Sequence, residues 1–102
     1  MMKKIELSCS TGVVSVEQLP SLVERIESLF PEIGEEIVVL SGRMPVWVFA
    51  TATHVLHPTK GVATFDPRLG GGVVVAQHHE DCPPVGTIIP CTGDETVIEV
   101  TV

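Results

Sequence analysis

Glu36-Ile-Val-Val-Leu40-Ser-Gly-Arg-Met-Pro45-Val-Trp-Val-Phe-Ala-Thr-Ala-Thr-His54-Val-Leu-His57-Pro58 is the stretch whose reading decides the fold. Glu36 to Leu40 is apolar and β-branched without alternation, which predicts a strand covered on both faces. The run from Val46 to His57 also carries β-branched residues. Pro45 at the first helical position, two alanines and the unbroken length nevertheless predict a buried helix, stopped by Pro58. Ser41 to Pro45 is then the turn between the two.

Outward from this centre the same reasoning continues. Ile5 to Ser10 alternates and ends at Thr11-Gly12, as a first strand would. Leu22, Val23, Ile26, Leu29 and Phe30 recur at helical spacing, with Pro20 in the first turn and Pro31 closing the helix. Gly61 to Phe65 and Gly72 to Gln77 read as two strands joined through the Gly-rich segment Asp66 to Gly71. Asp81-Cys-Pro-Pro84 interrupts, and Glu95 to Val102 alternates as a last strand. Strand, helix, strand, helix and three strands predict an α+β sandwich over residues 1–102, with two helices on one face of a mixed, mainly antiparallel sheet.

Charge is distributed as unevenly as hydropathy. The 102 residues carry a formal charge of −7, yet from Ile37 to His79 Asp66 is the only acid, alongside Arg43, Lys60, Arg68 and all four histidines, His54, His57, His78 and His79. An acidic chain argues against a dedicated binder of DNA or long RNA, whose affinity rests on Lys and Arg displacing counterions. A local basic patch suffices for a short RNA or a cyclic nucleotide. Cys9, Cys82 and Cys91 are odd in number and lack CxxC spacing, which predicts free thiols in a reducing cytoplasm. No apolar segment follows Lys3-Lys4 as in a leader peptide, and no run is long enough to span a bilayer.

Within the cleared window, Ser41-Gly42-Arg43 precedes a helix, where unpaired amides, a glycine and a guanidinium favour an anion; a capped turn with a solvated Arg is the ordinary alternative. His54 and His57, spaced i and i+3, share a helix face. Asp66-Pro67-Arg68 reads equally as a turn or as a reactive acid with its cation. His78 and His79, at the end of a strand, are expected on opposite faces. Two imidazoles with one carboxylate suit a manganese- or iron-type centre, and without metal could serve as general base and acid on a ribose phosphate.

The ordered set Ser41-Gly-Arg-x-Pro45-x-Trp47, His54-x-x-His57, Asp66-Pro-Arg-Leu-Gly70 and Gln77-His78 resembles the small CRISPR-associated ring nucleases with a ferredoxin-like fold. That resemblance implies a phosphodiesterase that opens cyclic tetra-adenylate, the messenger of type III CRISPR defence, with manganese (Mn2+), in homodimers assembling into tetramers or filaments around the ligand. It assigns Ser41, Gly42 and Arg43 to ligand binding, His57, Asp66 and Arg68 to catalysis, and His57, Asp66 and His78 to the metal, all but the binding loop forming one reactive end. A noncatalytic nucleotide sensor and a purely structural assembly subunit are the alternatives.

Overall fold

A computed structural model describes residues 2–102. Strand β1 (Met2–Ser8) leads through a short 3-10 turn at Val16–Gln18 into helix α1 (Leu19–Glu27) and the single turn α2 (Phe30–Ile33). Strand β2 (Ile37–Gly42), helix α3 (Val46–Val55), β3 (Gly61–Asp66), β4 (Gly71–Gln77), β5 (Ile88–Pro90) and β6 (Thr96–Thr101) follow. Six strands form one sheet in the order β5-β4-β3-β2-β1-β6.

The α+β class is met, but the sheet is not mainly antiparallel. β1–β2, β2–β3 and β1–β6 are parallel, and only β3–β4 and β4–β5 are antiparallel. The cause is connectivity. Each long helix is a crossover between strands that lie side by side, whereas the split arrangement of a ferredoxin-like sandwich leaves a strand between them. β6 then returns along the far side of β1.

Leu22 and Ile26 of α1 and Val48 and Ala52 of α3 are fully or almost fully buried against Ile5, Leu7, Val38, Leu40 and Val62. This is the principal core. Helix α3 confirms the reading against β-branched propensity, because burial of one face overrides a per-residue preference of a few tenths of a kcal/mol. Pro45 is its N-cap rather than its first residue, and the helix ends at Val55, so His57 lies beyond it. Pro31 opens the one-turn α2 instead of closing α1, since a proline is tolerated in any first turn.

The other sheet face carries a smaller core of Val39, Ala63, Val74 and Cys82. Cys82 sits directly over Gly61, where a Cβ would meet its Sγ at 2.2 Å. Gln77 Nε2 donates to Cys82 O at 2.6 Å and ties the covering loop to β4. All three cysteines are free thiols, and only Cys82 is buried. Among the described residues, no helix is long and apolar enough to cross a membrane.

Candidate functional site

The parallel strands β2 and β3 run in register, Leu40 beside Thr64, so their carboxyl ends bring Ser41-Gly42-Arg43 and Asp66-Pro67-Arg68 to the same edge of the sheet. Crevices at such edges are where open α/β sheets bind ligands. Glu6, Ser41, Gly42, Arg43, Phe65 and Pro67 line a cavity of about 370 Å3 there. Ser41 is only 6% exposed, yet its hydroxyl has no hydrogen-bond partner among the described residues. The hydroxyl opens into this cavity with its bonding capacity free for a ligand. Arg43 is exposed and forms no ion pair among the described residues.

Gly42 has a second role besides leaving room for an anion. Its φ is +135°, and a Cβ would stand 2.2 Å from Leu7 O on the neighbouring strand. The glycine is therefore required by the packing of β1 on β2 even without ligand.

Asp66 and Arg68 form a local clasp. Asp66 Oδ1 accepts from Arg68 N at 2.9 Å and Nε at 3.1 Å, and Oδ2 accepts from Nη2 at 2.8 Å. These hydrogen bonds hold the Asp66 carboxyl below its ordinary value and raise Arg68. Because the Arg68 side chain is 86% exposed, the pair orients groups more than it stabilises the fold. Arg68 Nη1 remains without a partner among the described residues.

At the opposite edge, His57, Thr59, Lys60, His78, His79 and Asp81 line a cavity of about 320 Å3. His57 Nδ1 lies 3.3 Å from His54 O, and His78 Nδ1 3.0 Å from Thr59 O. A carbonyl only accepts, so each Nδ1 carries the proton and each neutral ring keeps its lone pair on Nε2. That arrangement leaves Nε2 open to a metal or a transferable proton. His54 approaches the His57 ring at 6.3 Å but does not line the cavity.

His78 and His79 do not face apart. β4 ends at Gln77, and both following amides donate to Lys60 O, at 2.9 and 3.0 Å, so strand alternation no longer applies and both rings line one cavity. His79 has the other tautomer, its Nδ1 accepting from Asp81 N at 3.1 Å. Asp81, in sequence only part of an interrupting turn, accepts from Lys60 Nζ at 3.0 Å; that bond lowers Asp81 and raises Lys60.

The expected reactive end is therefore divided. Lys60, beside His57 and His78, precedes β3, and Asp66 terminates it about 20 Å away at ~3.3 Å per residue. Asp66 and Arg68 belong with the anion loop, not with the histidines. The described residues contain no group of three or more His, Cys, Asp or Glu placed to hold one ion. His57 and His78 can supply two nitrogens to a metal, whereas Asp66 cannot join them within one chain.

A family described as CRISPR-associated protein (Cas_csx3) matches residues 10–90. An uncharacterized protein of Aquifex aeolicus (strain VF5) is 50% identical over 56 residues, 55% of this chain and 50% of that protein. The alignment thus spans half the length of that relative.

Proposed function

The chain belongs to the CRISPR-associated Cas_csx3 family, and from that premise we propose that it binds cyclic tetra-adenylate and opens it to linear oligoadenylate, switching off antiviral signalling in the cytoplasm. The observation that carries this reading is the unpartnered Ser41 hydroxyl that lines a cavity together with the Arg43 guanidinium, just ahead of α3. A phosphodiester receives one hydroxyl hydrogen bond, a charge-assisted fork and the positive end of a ten-residue helix there. Arg68, held by Asp66, offers its remaining donors to charge growing on the phosphate.

Cleavage needs a base, and the free Nε2 of His57 or His78 is the candidate. The base takes the proton of the attacking hydroxyl, a new O–P bond forms, the P–O bond to the leaving oxygen breaks, and that oxygen regains a proton from a neighbouring imidazolium. Mn2+ held by His57 and His78 would supply Lewis-acid stabilisation of the phosphate. The loop and the histidines lie on opposite edges, so one subunit's loop edge must meet another's histidine edge across the ligand. Homodimers bridged into tetramers or filaments satisfy that geometry, and short RNA could occupy the same cradle.

Incubation with cyclic tetra-adenylate, with and without Mn2+, and chromatography of the products is the test. Absence of linear product refutes the enzyme. Binding without turnover would instead support the sensor, a reading favoured by the full engagement of the Asp66 carboxylate. Shared sites have a sharper signature: mixing Arg43→Ala with His57→Ala subunits should restore part of the lost activity, because hybrid contacts join an intact loop to intact histidines. Arg43→Ala mixed with Asp66→Asn should not, since both defects lie on one edge. Equal outcomes from the two mixtures would refute the shared-site geometry.

A further inference from the structure

The cavity at the histidine edge has bases to offer a phosphodiester but the wrong charge to receive one. Its imidazoles are neutral in the hydrogen bonds they form. Of the charged side chains in its lining, Lys60 is the one cation, set against the carboxylates of Glu35 and Asp81. That ammonium is moreover engaged, since Lys60 Nζ donates to Asp81 Oδ2 at 3.0 Å. The turn after β4 places Asp81 for this contact: its amide donates to His79 Nδ1, and the Cys82 amide donates to His79 O. The Lys60 side chain is 27% exposed and that of Asp81 57%, so the carboxylate is the partner more open to water.

An ion pair this accessible is weak, because water screens it and it immobilises two side chains. A phosphate oxygen can therefore replace the carboxylate at Nζ while Asp81 turns out into solvent. Lysine suits such an exchange, being a compact charge with three donors on a flexible stem. Resting on the shared-site reading above, we propose that Lys60 holds a phosphate of the ligand at the histidine edge and that Asp81 masks it in the free protein. His57 and His78 line the same cavity, so a phosphate held by Lys60 lies within the space their rings face. The mask also discriminates. A free anion must displace Asp81 unaided, whereas a ring already held by another subunit's Ser41–Arg43 loop presents its phosphate at high effective concentration. The histidine edge thus stays closed to stray anions until a loop delivers the ligand.

The test titrates cyclic tetra-adenylate, in chelator to suppress turnover, into wild type, Lys60→Met, Asp81→Asn and the double variant. Lys60→Met should weaken binding about 10-fold, the scale of one charge-assisted hydrogen bond. Asp81→Asn should tighten it about 3-fold, the scale of an exposed ion pair. In the Lys60→Met background Asp81→Asn should change nothing, because the mask has lost what it covers. Wild-type affinity in folded Lys60→Met protein overturns the phosphate contact. A gain from Asp81→Asn that persists without Lys60 overturns the mask, since the carboxylate would then act on the ligand directly. Unchanged or weaker binding by folded Asp81→Asn protein, in which Lys60 is intact, overturns it as well. Failure of wild type to bind the ring overturns the binding reading, and this proposal with it.

Discussion

Gly42→Ala separates packing from ligand binding at the anion loop. The substitution forces a side chain into a φ of +135° and places a Cβ 2.2 Å from Leu7 O, which belongs to the backbone of an adjoining strand and cannot rotate aside. The disfavoured backbone costs roughly 1–3 kcal/mol and the overpacking a further ~1–3 kcal/mol. The expected loss is about 2–6 kcal/mol, which for a domain of this size lowers Tm by at least roughly 8 °C. Gly70→Ala is the control, because Gly70 has φ +65° with nothing within 4 Å of its added Cβ, and it retains only the conformational part. Urea denaturation of both variants, without nucleotide, gives the comparison. A Gly42→Ala protein as stable as Gly70→Ala would refute the packing argument and leave room for ligand as that glycine's sole purpose.

Asp66→Asn should reduce ring turnover by roughly 100-fold while stability and ring affinity stay nearly unchanged, because the exposed clasp orients Arg68 without supporting the core. Wild-type turnover would remove Asp66 from the mechanism. Arg43→Ala should weaken ring binding by about 1.5–3 kcal/mol in calorimetry, the worth of a charge-assisted hydrogen bond; unchanged affinity would reduce the loop to a helix cap. Lys60→Met should lower stability only in a middle pH window. Asp81 is lowered, so its contribution is present above its ordinary 3.8 and is lost as pH falls through the still lower folded value. Lys60 is raised, so its contribution is full below 10.5 and is lost as pH rises through the higher folded value. A deficit independent of pH would mean that Lys60 acts through its packed stem instead.

The strands and the two long helices are legible in the sequence because each displays a hydropathy period or a Pro boundary. Val46 to Val55 reads as helix despite its β-branched content, through Pro45 and the two alanines. β5 is not legible, since Ile88-Ile89-Pro90 is three residues among prolines and pairs only through β4. Parallel pairing depends on which strands the crossovers place side by side, and no local residue records that choice. The site residues can be picked out one by one, but within one chain Asp66 lies at the far end of β3 from the histidines. A strand from Gly61 to Phe65 by itself sets Asp66 a strand's length from His57, so the sequence does carry the signal that separates them. The shared cavity of His78 and His79 has no such signal, because it depends on the strand ending one residue before them.

Lys60 bears on how the histidine edge behaves when a ligand arrives. Its amide donates to Glu36 O, while its carbonyl accepts from both His78 and His79. Backbone hydrogen bonds thus lace together the approaches to β2 and β3 and the exit from β4. Amide protons of His78 and His79 should consequently exchange on the timescale of the sheet rather than of a surface loop. The imidazoles ride on main chain that is already ordered, so little conformational entropy remains to be lost there on binding.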